Sequence, residues 1–314
     1  MTFPSILYGS GIKLRNALYD GRILSAHRLR GAVVSVGNLS VGGAGKTPFV
    51  ILLGELLKQR NIPFDILSRG YGRSSRGVAL VDPAGTPQQF GDEPLLLSQR
   101  LRVPVIVGEN RYEAGVFAEK KFGSQLHILD DGFQHRSLAR DFDIVLLSAE
   151  DTAGDLLPNG RLREPLTALS RADAVVASDD VPLDLIARPG LSIWSMGRGI
   201  APLSAPKRPL AFCGIARPQN FFDQLRRTGV DPVGEKSYRD HHAYSLADAE
   251  HLIALARQVN ADGFVTTEKD RINLGTLASL LNPLAIAVVR MDLAEPNQVV
   301  DALLRTVRER KRVA

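Results

Sequence analysis

The run GNLSVGGAGKTP, residues 37–48, holds the first residues whose types and spacing suggest chemistry. Gly42, Gly43 and Gly45 let the backbone turn tightly, and Lys46 and Thr47 then open a helix with apolar residues at helical spacing. Backbone N–H groups of such a turn, together with the positive end of the helix, form a nest for phosphate oxygens. Ser40, Val41, Gly42, Gly43, Ala44, Gly45, Lys46 and Thr47 are therefore the expected phosphate loop, with Lys46 reaching the outer phosphates and the Thr47 hydroxyl serving as a ligand for Mg²⁺. The general pattern G-x-x-x-x-G-K-[ST] asks for glycine where Ser40 stands. Against that departure, the apolar run Val33 to Val36 supplies a strand before the loop, and Gly-Lys-Thr at a helix start is more than an ordinary surface turn explains.

Downstream, LHILDDGFQH (residues 126–135) reads as an apolar strand ending in two carboxylates. An acidic residue in that place holds Mg²⁺ opposite the threonine of a phosphate loop. Asp130 and Asp131 alternate in direction, so one can face the phosphates while the other turns toward a second group. Asp-Gly is also a common turn pair, but a phosphate loop upstream on the same sheet favours the metal role. Asp92, in GDEP (residues 91–94), suits either a helix cap or an acid–base role, and spacing alone leaves both open. In DHHAY (residues 240–244) an imidazole could orient a catalytic carboxylate or take its proton. TTEKD (residues 266–270) is a strand end dense in charge, either part of a site or a salt-bridged turn. Arg69 and Arg73 in SRGYGR suit phosphate contact or a plain surface loop. The 6 histidines and single cysteine form no metal-ligand pattern, which counts against a metal-delivery protein, and Cys213 in LAFCGI reads as a buried structural thiol.

The elements that must position these residues follow from hydrophobic patterning. Apolar runs at 64–67, 78–81, 103–107, 126–129, 143–147 and 174–177 alternate with helix candidates at 93–101, 111–122 and 165–172, which argues a mostly parallel sheet covered on both faces. From about residue 181 the pattern loosens, with Pro182, Pro189, Pro202, Pro206 and Pro209 among its breaks. A smaller α/β unit is expected after it, with strands at 210–215, 232–235, 263–267 and 284–289 and helices at 218–228, 246–259 and 297–312.

With 314 residues, 44% of them apolar and 23% charged, the chain has the composition of a globular protein of two ordinary domains, not a disordered one. One cysteine excludes an internal disulfide, and without a secretory signal pattern a reducing cytoplasmic setting is expected. The formal charge of +5 says little by itself, but its distribution says more. In residues 1–31, Lys13, Arg15, Arg22, Arg28 and Arg30 face only Asp20 and lie among Phe3, Ile6, Leu7, Tyr8, Ile12 and Leu14. Such a mixture suits either an anionic membrane surface or a helix packed on its own domain, interrupted by Gly9 and Gly11. No stretch approaches the roughly 18 apolar residues of a transmembrane helix.

Taken together, GNLSVGGAGKTP, SRGYG, GDEP, DDGFQH, LREP (residues 162–165), DHH (240–242) and TEKD (267–270) resemble the tetraacyldisaccharide 4'-kinases of lipid A synthesis, in that family's order and over nearly the whole chain. Serine in place of the first loop glycine falls within that family's form of the motif. The resemblance implies transfer of the γ-phosphate of ATP, with Mg²⁺, to the 4'-hydroxyl of a tetraacylated disaccharide 1-phosphate. It implies a monomer attached peripherally to the anionic cytoplasmic face of the inner membrane of a Gram-negative bacterium, with no nucleic-acid partner. Position by position, it implies Lys46 as a catalytic phosphate ligand, Asp92 as catalytic base and His241 as the partner of Asp92. Thr47, Asp130, Asp131 and Glu164 are implied around the metal. The implied fold is a P-loop NTPase-like α/β/α sandwich with a second, smaller α/β domain joined by a β-stranded linker. On this chain that gives an N-terminal membrane-surface segment at 1–30, a kinase domain at 31–180, a linker at 181–208 and the smaller domain at 209–314.

Overall fold

The computed structural model describes residues 3–201 and 203–313, so Met1, Thr2 and Pro202, which belong to the expected N-terminal segment and linker, lie outside the described residues. The helices are α1 (Phe3–Asp20), α2 (Lys46–Gln59), α3 (Pro87–Phe90), α4 (Asp92–Leu101), α5 (Arg111–Phe122), α6 (Ala149–Thr152), α7 (Pro218–Arg227), α8 (Leu246–Gln258), α9 (Glu268–Leu274) and α10 (Pro296–Val313). The strands are β1 (Ala32–Asn38), β2 (Asp65–Ser68), β3 (Ala79–Leu80), β4 (Val105–Val107), β5 (Leu126–Asp130), β6 (Phe142–Leu147), β7 (Ala174–Ala177), β8 (Ser192–Ile200), β9 (Pro209–Cys213), β10 (Gly234–Ser237), β11 (Gly263–Thr267), β12 (Leu284–Ala287) and β13 (Val289–Leu293).

Nine strands form one sheet in the order β13-β8-β7-β6-β1-β5-β2-β4-β3, parallel except at the two edges, where β13 and β3 run antiparallel to their neighbours. β1 is buried at every position, as a strand covered on both faces must be. On one face Val34, Val36, Ile128 and Ile144 pack against α2, α4 and α10. On the other, Val33, Leu67 and Leu129 pack with Ala114 and Ala118 of α5. Strand order reverses at β1, which lies between β5 and β6, and the carboxyl ends of these strands form the crevice where open α/β sheets take ligands. A second, all-parallel sheet has the order β10-β9-β11-β12 and its own core around Phe212, Leu252 and Phe264.

Three differences from the sequence expectation have local causes. The apolar run at 284–289 is divided: β12 joins the small sheet, while β13 returns to the large sheet beside β8, inside the stretch expected as linker. β8 was masked in the sequence because Gly197 and Gly199 interrupt an alternation that buries Trp194, Met196 and Ile200. The segment at 165–172 is a 3₁₀ turn, Leu166–Arg171, in place of the expected helix. At the N-terminus, α1 runs through both glycines. A Cβ on Gly9 would lie 3.0 Å from Leu156 Cδ1, so the missing side chain lets the helix pack closely there.

Candidate active site

The phosphate loop connects β1 to α2, and Asn38, the last residue of β1, fixes both ends of it. Its Nδ2 donates to the Ser40 carbonyl at 2.8 Å and to Ser40 Oγ at 3.3 Å, and its Oδ1 accepts from Lys46 Nζ at 2.9 Å. Ser40 is fully buried, so its hydroxyl serves as an internal acceptor that a glycine would not provide. Gly42, Gly43 and Gly45 have φ of 72°, 58° and 83°, the left-handed region that favours glycine. Val41 and Ala44 complete the loop, Val41 being tied by its N–H to the Arg161 carbonyl at 2.8 Å. Val41 through Thr47 line a cleft of about 960 Å³.

Asp130 and Asp131 close the carboxyl end of β5 against this loop, and their environments differ. Asp131 lies 3.3 Å from Lys46 Nζ and accepts from Arg163 Nη1 at 3.0 Å. Burial alone would raise its pKa, but these two cations hold it below the ordinary carboxylate value. Among the described residues the Asp130 carboxylate accepts from Ser68 Oγ, at 3.1 Å, and burial with the nearby Glu93 and Asp131 pushes it up to about 7. Thr47, Asp130 and Asp131 thus place hard oxygen donors and surplus negative charge on one side of the cleft.

Glu164 does not join this group. It is fully buried, with Arg15 Nη2 at 3.2 Å on one oxygen and Asn16 Nδ2 at 3.0 Å and Arg171 Nη2 at 2.8 Å on the other. Cations and an amide surround its oxygens, away from the lining of the cleft, and it ties α1 to the body of the protein.

Across the cleft, Asp92 and His241 meet although they lie 149 positions apart in sequence. His241 Nδ1 is 3.0 Å and 2.9 Å from the two Asp92 oxygens, and Asn273 Nδ2 donates to Asp92 Oδ2 at 3.1 Å. Gly91, not Asp92, holds the N-cap position of α4, although Asp92 Oδ1 does accept the Glu93 N–H at 2.9 Å. The carboxylate is therefore directed at the imidazole more than at the helix. Burial would raise the Asp92 pKa, yet the His241 hydrogen bond and the charge of Lys269 hold it below the usual range; His241 itself is raised, since Asp92 outweighs desolvation and Lys269. His241 lines the cleft, and Asp92 lies just behind it at 4% exposure. His242 points elsewhere, stacked on Tyr238 at 4.5 Å and bonded to Asp248 at 3.2 Å.

Sequence reasoning missed several contributors. Asn38 and Ser68 are small polar residues at strand ends with no motif signal of their own. Lys269 stood in the charge-dense TTEKD, and Arg163 in LREP, where Glu164 drew the attention. Arg198 on β8 opens onto the cleft beside Gly45, and close surroundings and Arg217 lower its pKa. Arg217 itself pairs with Glu150 at 2.9 Å.

The chain is similar over nearly its whole length to one family of kinases. The family model described as tetraacyldisaccharide-1-P 4'-kinase matches residues 1–308. The tetraacyldisaccharide 4'-kinase of Koribacter versatilis is 51% identical over 317 residues, covering 98% of each chain. That of Aquifex aeolicus is 38% identical over 289 residues, covering 86% of this chain and 88% of the other. The crystal structure of LpxK from Aquifex aeolicus in complex with ATP superposes with a TM-score of 0.79 at 34% identity, over 96% of this chain and 97% of that one.

Proposed function

The chain belongs to the tetraacyldisaccharide-1-P 4'-kinase family, and from that premise we propose how its cleft performs the reaction. The activity is that of a kinase of lipid A biosynthesis, built on a P-loop NTPase-like α/β fold with a smaller α/β unit. In our reading the loop from Ser40 to Thr47 cradles the ATP phosphates through its N–H groups, and Lys46 places its ammonium on the outer ones. Arg198 and Arg217 add cationic charge from the other side of the loop. Catalysis of phosphoryl transfer is mostly positioning and charge neutralisation, which is what this arrangement offers.

Thr47, Asp130 and Asp131 are the residues we assign to Mg²⁺. Their oxygens suit a hard cation, and the poorly compensated Asp130 beside Asp131 and Glu93 is a site where added positive charge is favourable. Mg²⁺, when bound, supplies charge that neutralises phosphate oxygens.

The acceptor hydroxyl needs a base only as its proton becomes acidic during bond formation. We assign Asp92 to that role, with His241 orienting it. The observation that carries this assignment is the Asp92–His241 contact, a bond between the large-sheet and small-sheet units at the wall of the phosphate cleft. We take β8, beside β13, as the hinge between the units, so that closure excludes water, which would otherwise compete as acceptor.

The acceptor is placed beside α1, where Tyr8, Ile12 and Arg15 line the same cleft. Ile6, Leu7 and Leu14 on that helix are exposed next to Lys13, which supports peripheral attachment to the anionic cytoplasmic face of the inner membrane. Among the described residues no helix is long and apolar enough to cross a membrane. The test is His241→Ala: acceptor-dependent turnover should fall roughly 10- to 100-fold while ATP affinity stays unchanged, because His241 acts through the base and not on the nucleotide. Unchanged turnover would remove the Asp92–His241 pair from the mechanism.

A further inference from the structure

Lys269 is not used by the mechanism above, yet its ammonium sits at the centre of the contact between the two units. Nζ lies 3.3 Å from His241 Nε2, 3.4 Å from Asp240, 3.5 Å from Glu93 and 3.7 Å from Asp92. Lys269 and His241 supply the ion-pair contacts to Asp92 found among the described residues. The position of Lys269 is fixed from beneath. Thr267 caps α9, and the fully buried Asp270 accepts from Thr267 Oγ1 at 2.6 Å, Gly214 N at 2.7 Å and Tyr244 OH at 2.9 Å. Gly214 in turn accepts the His241 N–H at 3.2 Å, so one buried carboxylate sets the places of both Lys269 and His241.

The ring geometry then has a chemical consequence. An ammonium has donors and no acceptor, so an imidazole nitrogen facing it must present its lone pair. Asp240 Oδ2 also lies 3.7 Å from Nε2, but the ammonium is nearer, at 3.3 Å, and Nδ1 is within 3.0 Å of both Asp92 oxygens, so the geometry of the neutral ring favours a proton on Nδ1, aimed at Asp92. We propose that Lys269 is a positioning residue for phosphoryl transfer: it selects the Nδ1–H tautomer of His241 and supplies the countercharge that keeps Asp92 ready to accept the hydroxyl proton. In that step the acceptor O–H bond breaks as the new O–P bond forms, the bond from the γ-phosphorus to the departing ADP oxygen breaks, and the proton passes to Asp92. The proposal rests on the reading of Asp92 and His241 as the base pair.

The groups facing this ammonium are Asp92 and Glu93 from α4, and Asp240 and His241 from the loop before α8. Asn273 on α9 bonds Asp92, and Tyr71 lies against His241. Removing the cation leaves the carboxylates uncompensated, so Asp92 takes a proton more readily, and His241 does too, because Lys269 also holds the imidazole down. Both effects move the acid limb of the pH–rate profile upward.

The experiment compares the acceptor-dependent kcat/KM of the parent, Lys269→Met, Lys269→Arg and Asp92→Asn from the lowest pH at which each stays folded up to about pH 9. We expect Lys269→Met to shift the acid limb up by about one pH unit, the scale of losing an opposite charge within about 4 Å, and Lys269→Arg to restore its position. An unmoved limb in Lys269→Met, with activity falling only in step with melting temperature, would reduce Lys269 to a structural role and overturn the proposal. Nitrogen NMR of the His241 ring in the parent protein tests the same point without a variant. At a pH above the titration of the ring, followed in the same spectra, the neutral ring should carry its proton on Nδ1, and a proton on Nε2 alone overturns the tautomer assignment. Asp92→Asn separates the two readings: near-parent activity there defeats the base assignment itself, whereas an inactive Asp92→Asn with an unmoved Lys269→Met limb defeats only the role of Lys269.

Discussion

Replacing Lys46 with methionine tests the phosphate loop while keeping the length and apolar stem of the side chain. The ammonium has two polar contacts to lose, Asn38 Oδ1 at 2.9 Å and Asp131 Oδ1 at 3.3 Å. Asn38 is fully buried, and an unsatisfied buried acceptor costs about 1 to 3 kcal/mol. Asp131 keeps Arg163 and is partly open to solvent, so its loss is small. Expected destabilisation is therefore about 1 to 3 kcal/mol, a fall of several degrees in melting temperature that leaves the protein folded. The catalytic loss should be larger. Removing one charge-assisted donor from a transferring phosphate costs about 2.7 to 4 kcal/mol, or roughly 100- to 1,000-fold in kcat. The assay is acceptor-dependent ATP consumption with tetraacyldisaccharide 1-phosphate in detergent micelles, alongside thermal melting. Turnover within tenfold of the parent, from a protein that still melts cooperatively, would refute the placement of Lys46 on the phosphates.

Two further outcomes follow from the structure. Asp130 has its folded pKa raised to about 7 from the ordinary 3.8, so the folded state binds its proton more tightly than the unfolded state does, and the stability gained from that proton is lost as pH rises between these values. Asp130→Asn should therefore raise the melting temperature of the metal-free protein more at pH 8 than at pH 5 while removing activity; a pH-independent difference would contradict the assigned environment. At the membrane, Leu7 and Leu14 are 67% and 63% exposed, and Leu7→Gln with Leu14→Gln should lower co-sedimentation with anionic vesicles at least about tenfold, given roughly 1.5 to 3 kcal/mol for each buried leucine. Unchanged co-sedimentation would exclude α1 as the attachment surface. Deleting residues 1–30 is a poorer test, because it also strips Arg15 and Asn16 from the buried Glu164.

The phosphate loop was legible in the sequence because its chemistry is local: a strand, three glycines, a lysine and a threonine in consecutive order. β1, β5 and β11 were legible for a related reason, since a strand buried on both faces reads as a short, largely apolar or β-branched run with few charges. β8 and β13 were not, because they pair with each other across a long separation, and glycines or exposed residues interrupt each pattern. Asp92 and the DHH imidazoles stood out as candidates by residue type, but the choice of an acid–base role for Asp92 and its pairing with His241 came only through the family resemblance. Their spacing carries no periodic signal, and the contact exists because two separate sheets face one cleft. Glu164, placed near the metal by the family resemblance alone, had no local signal that Arg15 and Arg171 would flank it.

The central claim is that Asp92, held by His241 across the cleft, takes the proton of the acceptor hydroxyl. Asp92→Asn measures it most directly, since the amide keeps the shape of the side chain and still accepts the Glu93 N–H but cannot serve as the base. Single-turnover phosphate transfer at saturating ATP and acceptor should slow by about 100- to 10,000-fold with ATP affinity close to that of the parent, in a protein that still melts cooperatively, though at a lower temperature because the new amide N–H groups face the Asn273 and His241 donors. A transfer rate within tenfold of the parent would contradict the account.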